Sequence, residues 1–367
     1  MKRFPTLALL LCAAGCGASD GKLSASTAPA AVPSPAPSPT PGPSPTPSPT
    51  AAPTPGASLS LALTGNVAPV HDPAILKDGD RYYLFTTGNA GDAEGLLALR
   101  TSTDLRDWTL RGGSYAALPA WTAAAVPGAS GMWAPDISKV GNQYRLYYSI
   151  STFGKNQSAI GLATATAIDP AAPVANWADQ GPVIQSQGSD DYNAIDPMAF
   201  TDAEGRAWLT FGSFWSGIKI IRLDPATGLR LSGDAAPRAL AQRPAPDAIE
   251  APFIIRHDRF YYLFASFDFC CQGSKSTYNT VVGRSAAADG PYVDRDGKAM
   301  LQGGGTQVLG NGQGDGSRYV GRGHAAVLQQ GDGDYIVYHA YDTQKNGLPT
   351  LQIQKLTWSA DGWPSVQ

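Results

Sequence analysis

From residue 70 onward the chain repeats one pattern of apolar and polar positions five times. A polar residue and a proline lead into a short apolar stretch, a Gly/Asp turn follows, and an aromatic run comes next. The first two copies are His71-Asp72-Pro73-Ala74-Ile75 leading to Tyr82-Tyr83-Leu84-Phe85, and Trp133-Ala134-Pro135-Asp136-Ile137 leading to Tyr144-Arg145-Leu146-Tyr147-Tyr148. The third and fourth are Ile195-Asp196-Pro197-Met198-Ala199 leading to Trp208-Leu209-Thr210-Phe211, and Glu250-Ala251-Pro252-Phe253-Ile254 leading to Tyr261-Tyr262-Leu263-Phe264. The fifth keeps the plan with Ala in place of Pro: Gly323-His324-Ala325-Ala326-Val327 leading to Tyr335-Ile336-Val337-Tyr338.

Pro73, Pro135, Pro197, Pro252 and Ala325 follow one another at intervals of 62, 62, 55 and 73 residues. Each unit has room for about four short strands at ordinary strand and turn lengths. Four-stranded units repeated about an axis predict an all-β, five-bladed β-propeller. No long amphipathic helical period interrupts the repeats, which argues against an α/β barrel. A propeller needs its ring closed. The alternating segment Leu59-Ser60-Leu61-Ala62-Leu63 is expected to pair with the last blade near Leu351 to Leu356, so the propeller spans 59–367.

Upstream the pattern changes. Lys2 and Arg3 precede the apolar run Leu7-Ala8-Leu9-Leu10-Leu11, a secretory signal too short to span a membrane as a mature helix. It ends in Ala13-Ala14-Gly15-Cys16, which resembles a bacterial lipoprotein cleavage box. On that reading residues 1–16 are a signal, Cys16 is lipidated, and the protein is an exported lipoprotein of the outer membrane or cell surface, with the side that the domain faces left open; the alternative is an ordinary signal cut nearby and a secreted protein. Residues 17–58 are rich in Pro, Ser, Thr and Ala, and no Lys, Arg, Asp or Glu occurs between Lys22 and Asp72. Such a tract buries no core and reads as an extended spacer.

Composition agrees with a turn-rich β protein. Gly numbers 41, Pro 30 and Tyr 15, while charged residues are only 16% of the chain. A net charge of −3 leaves no basic footprint for nucleic acid. Of the four cysteines, Cys270 and Cys271 survive export if Cys12 and Cys16 are taken by the signal and the lipid. They are adjacent, and either a ring between neighbours or two thiols is open to them; no CxxC or Cys/His cluster points to metal.

Innermost strands of a propeller begin at the same end of the axis, so equivalent repeat positions converge. Asp72, Asp196 and His324 stand one residue before the proline or its equivalent, and Glu250 stands two before. A lone Asp-Pro is an ordinary turn former. Three carboxylates and an imidazole at matched positions are costly to bury together without a use. Converging acids are what glycoside hydrolysis requires: a protonated acid, an ionised base, and a means of separating their pKa values.

These runs resemble the family-43 glycoside hydrolases, and within them the endo-α-1,5-L-arabinanases. The resemblance is carried by Val70 to Pro73, Met132 to Asp136, Tyr147 to Gly154, Ser158 to Thr164, Asn193 to Pro197 and Phe211 to Gly217. It continues through Ile249 to Phe253, Ser266 to Cys271 and Tyr338 to Asp342. It implies inverting hydrolysis of arabinan, with Asp72 as general base, Glu250 as general acid and Asp196 orienting the acid and setting its pKa. It also implies a calcium ion near His324, held largely through water; a hydrogen-bonded funnel histidine is the alternative reading, and Arg322 nearby tempers the metal. Trp133, Phe153, Asn193 and Trp215 are expected to build sugar subsites, because aromatic faces pack on sugar rings and amides bond hydroxyls. An exo-acting arabinofuranosidase or β-xylosidase shares the same acids, and a non-catalytic glycan-binding propeller shares the fold. The expected partner is arabinan or its oligosaccharides, with membrane contact only through the lipid, and the expected state is a monomer.

Overall fold

The computed structural model of the chain describes residues 60–311 and 318–366. The signal, the Cys16 lipidation site and all of the spacer lie outside the described residues. Five sheets follow in chain order, each meandering outward from an innermost strand. The innermost strands are Ala74–Asp78, Gly131–Val140, Met198–Thr201, Ile249–His257 and Tyr319–Gln330. Each turns back at the predicted Gly/Asp turn into the aromatic second strand, Arg81–Thr86 in the first blade and Phe260–Phe267 in the fourth. This is the five-bladed propeller that the repeat predicts.

The core is divided accordingly. Five apolar clusters occupy the five interfaces between adjacent blades, including that between the last blade and the first. Because successive strand residues point to opposite faces, one second strand feeds two of them. Tyr148 and Leu146 pack toward the first blade, while Tyr147 between them packs toward the third. Tyr82, Tyr261 and Tyr262 are buried in such clusters. Among the described residues, helix is confined to the single turn Thr122–Ala125 and three 3-10 turns. No helix among them is long and apolar enough to cross a membrane.

The ring is closed, as expected, by the N-terminal segment pairing with the last blade. Ser60 bridges Gln354, and Leu61 donates its amide to Ile353 at 2.9 Å. Further along the same strand, Pro364–Ser365 pairs with Thr357 and Trp358. Beyond Leu61 the segment touches both blades: Thr64–Gly65 run parallel to Asp107 and Trp108 of the first, while Val67 O accepts from Leu351 N at 2.8 Å and Val70 N donates to Pro349 O at 2.9 Å in the last. The N-terminal segment therefore staples the last blade to the first.

Candidate active site

The residue before Pro73, Pro135, Pro197, Pro252 and Ala325 has a left-handed backbone in every blade: Asp72 at φ 52°, Ala134 at 42°, Asp196 at 58°, Ala251 at 54° and His324 at 51°. Asp and His are among the non-glycine types that tolerate this region best. Register shifts follow in the second, fourth and fifth blades, between Trp133 and Asp136, Glu250 and Phe253, and Gly323 and Ala326. Each innermost strand thus starts with a kink that aims its first residues at the axis. A small cavity of about 20 Å³, room for one water, is lined by Pro73, Pro135, Pro197, Pro252 and Ala325 together. Residues contributed by all five blades can share one cavity only on the axis.

The kinked amides are satisfied by the neighbouring blade. Ala134 donates to the Thr87 hydroxyl at 2.8 Å, Asp196 to Ser149 at 2.9 Å, His324 to Ser266 at 2.9 Å, and Asp72 to His339 Nδ1 at 3.1 Å. In each case the acceptor lies in or just beyond the preceding blade's second strand, opposite the residue before the kink. The third blade has Gly212 at that place, with its amide on Ile195 O. There the Asp196 carboxylate takes over and accepts from Ala251 N at 3.1 Å. The ring of five bonds is complete, and the one substitution in it turns Asp196 toward the strand that carries Glu250.

Asp72 is 8% exposed and crowded with donors. His71 Nδ1 stands 2.8 Å and His324 Nδ1 3.0 Å from its Oδ1, and Thr87 donates to Oδ2 at 2.6 Å. Burial alone raises a carboxyl pKa, but the two imidazoles outweigh it and hold Asp72 well below the usual carboxylate range. Glu250, 9% exposed, accepts from Ser213 at 2.7 Å. Burial raises its pKa, and the bonds from Ser213 and Tyr278 only partly offset this. Asp196 is pushed up to about 8 by burial, against the pull of His324 and with the charges of Glu250 and Asp72 adding to it. Burial thus favours the neutral form of both carboxyls, and the charge of Glu250 adds to the rise at Asp196.

His324 reaches about 9: burial opposes its charge, and Asp72, followed by Asp196 and Glu250, more than compensates. Its Nδ1 is committed to Asp72, and no oxygen cage of the kind calcium prefers surrounds it among the described residues. His71, Asp72 and His339 lie close enough to share an ion, yet His71 Nδ1 is committed to Asp72, His71 Nε2 to Tyr341 and His339 Nδ1 to the Asp72 amide, which leaves only His339 Nε2 without a partner. Were a calcium ion bound here, His324 is the residue that would face it, and water would have to supply most of its ligands. Arg322 is buried and turns its Nε back to Tyr319 O at 3.0 Å.

The expected subsite residues divide. Trp133 lies on the innermost strand of the second blade and donates to Asn89 at 3.0 Å. Phe153 and Trp215 follow second strands rather than innermost ones, and Phe153 is 81% exposed. Asn193 is buried, and its side-chain oxygen has no hydrogen-bond partner. Cys270 and Cys271 are joined as a disulfide between neighbours. Sequence reasoning did not single out His71, His339, Thr87, Ser213 and Tyr278. His71 beside Asp72 and His339 in the last blade's second strand were visible as polar residues in apolar runs; the hydroxyls gave no signal.

The sequence model of glycosyl hydrolases family 43 matches residues 67–364. An extracellular endo-α-(1→5)-L-arabinanase of Bacillus subtilis is 42% identical over 298 residues, covering 81% of this chain and 87% of its own. An extracellular exo-α-(1→5)-L-arabinofuranosidase of Cellvibrio japonicus is 39% identical over 323 residues, covering 84% and 89%. Among solved structures, a family-43 endo-arabinanase of Bacillus licheniformis superposes with a TM-score of 0.75 at 41% identity, covering 83% of this chain and 99% of that one.

Proposed function

Because the chain belongs to glycosyl hydrolases family 43, we propose that it is an exported enzyme that cleaves α-1,5-L-arabinofuranosidic bonds within arabinan by inversion. The observation that supports the mechanism is that two equally buried carboxyls at one end of the propeller axis have different partners, two imidazoles at Asp72 and hydroxyls at Glu250, which drive their pKa values in opposite directions. Asp72, held ionised by its histidines, takes the proton of an attacking water. Glu250, held protonated, gives its proton to the departing oxygen on the other side of the sugar. Asp196, tied to Ala251 N, keeps a proton in the acid's neighbourhood and fixes the strand that carries it. Trp133, Phe153 and Trp215 offer faces for arabinose rings; Asn193, whose side-chain oxygen is buried and unpaired, would have to be uncovered to bond a sugar hydroxyl. Names of extracellular relatives support export; anchoring through Cys16 is the finer part of the proposal, read by metabolic palmitate labelling of wild type and Cys16→Ser.

The test of function is product sizing on linear arabinan with the wild type and Glu250→Ala. Short oligosaccharides from the wild type and near silence from the variant support the proposal. Monosaccharide alone sinks endo action and favours the exo reading, for which the Cellvibrio relative speaks. Inertness on arabinan, xylan and aryl glycosides leaves a glycan-binding propeller. Calcium near His324 is tested by chelation: a fall in activity or melting temperature that calcium restores supports a water-held ion, and no change removes it.

A further inference from the structure

We infer that the Cys270–Cys271 disulfide positions the general base, through a chain of hydrogen bonds that runs from the Cys271 amide over Tyr341 and His71 to Asp72. The inference rests on Asp72 being the base. Cys271 N donates to Tyr341 Oη at 2.7 Å, Tyr341 Oη lies 2.8 Å from His71 Nε2, and His71 Nδ1 lies 2.8 Å from Asp72 Oδ1. The direction of each bond follows from chemistry. An ionised carboxylate only accepts, so His71 carries its proton on Nδ1. In the neutral ring Nε2 then accepts, and the tyrosine hydroxyl donates to it while receiving the Cys271 amide. His71 is clamped in one tautomer and one orientation, further fixed by stacking on His339 at 3.9 Å.

The disulfide enters because of where the amide sits. Closing Sγ to Sγ between neighbours makes one small ring from both side chains, both Cα atoms and the peptide C and N between them. The N–H that starts the chain is a member of that ring. Cys271 has φ 66°, a conformation that a free cysteine seldom adopts. The surrounding loop is pinned as well: Asp268 binds Arg243 at 2.7 Å and Asn279 Nδ2 at 2.7 Å, and Gln272 N donates to Ser276 at 3.0 Å. Tyr341 is only 3% exposed, whereas Cys271 is exposed. A reductant therefore reaches the ring while the rest of the chain stays covered.

Tyr341→Phe in the full chain removes the hydroxyl and nothing else. We expect kcat on linear arabinan to fall about tenfold with KM within about twofold, as for loss of an interaction that orients a catalytic group. Nitrogen NMR of histidine-labelled protein should show His71 changing from one tautomer to a mixture. Dithiothreitol supplies two electrons and converts the S–S bond to two thiols, counted by a thiol reagent; the wild type should lose kcat to a similar degree and regain it on reoxidation. Cys270→Ala with Cys271→Ala reproduces the reduced state without reagent. Unchanged kcat in Tyr341→Phe, or in both the reduced wild type and the double variant, overturns the inference. So does a rise in KM at constant kcat, which would make the disulfide a sugar contact only. Asp72→Asn is the separate control: near-wild-type activity there removes the base assignment itself, whatever the tyrosine variant shows.

Discussion

Asp72 and Glu250 are buried to nearly the same extent, 8% and 9% exposed, yet their carboxyls are driven in opposite directions. Burial cannot make that difference. Partners do. Asp72 collects His71, His324 and Thr87, two of them imidazoles that favour its charge. Glu250 receives hydroxyls and shares its surroundings with the carboxyl of Asp196. One fold element, a kinked start to an innermost strand, is used five times, and the chemistry at each copy is set by what the adjoining blade and loops bring to it.

The largest expected effect breaks the pair outright. Asp72→Asn and Glu250→Gln should each lower kcat on arabinan by about 10²- to 10⁴-fold, the usual contribution of a general acid or base. An aryl arabino-oligosaccharide, whose leaving group departs without protonation, distinguishes them. It should recover much of the rate in Glu250→Gln and none in Asp72→Asn. Equal recovery in both would erase the division into acid and base.

The pH profile sharpens the same contrast. Asp72 must be ionised, and its pKa is depressed, so activity persists on acidification until the pH passes below the ordinary carboxylate range. Glu250 must be protonated, and its pKa is raised, so activity is lost only as the pH climbs above the ordinary value. The plateau should be wide. Ser213 donates to Glu250 and favours its charged form; Ser213→Ala should therefore raise the acid's pKa and move the alkaline limb to higher pH. With orientation also weakened, kcat should drop about tenfold. An alkaline limb that moves downward would mean that Ser213 is not the partner that matters.

Much of this site was legible in the sequence because its acids sit on the repeating element itself. Asp72, Asp196 and His324 occupy the left-handed position, where their residue types are tolerated. Glu250 stands one place earlier, and the register shift after it explains why a strict repeat spacing misses it by one. The supporting ring was not legible. Its acceptors are Thr87, Ser149, Ser266 and His339, three residue types on different strands from the acids, and the fifth place is empty at Gly212. A Cβ there would lie 2.5 Å from Gly217 O, at φ 131°, so glycine is required by the backbone before any chemistry is considered.

The smallest predicted effect asks whether the ring is scaffold or chemistry. Ser149→Ala removes the acceptor of the Asp196 amide on the acid side, and Ser266→Ala removes that of the His324 amide on the base side. Both amides start kinked strands, and Ser149 and Ser266 are themselves fully buried. An amide left unpaired in such a place costs about 1–3 kcal/mol, a fall in melting temperature of a few degrees for a domain of this size. If the ring is scaffold, the two variants lose similar stability although one faces the acid and the other the base. Ser149→Thr, which keeps a hydroxyl, should lose less than either. The comparison between the corners predicts one asymmetry on top of this. Asp72 keeps His71 and Thr87 when His324 is loosened, so Ser266→Ala should leave the acidic limb nearly in place. Asp196 has its own carboxyl bonded to Ala251 N, so loosening it moves the strand of Glu250 and should lower kcat further than Ser266→Ala does. Equal kinetics in the two variants would show that the acid corner is as redundantly held as the base corner.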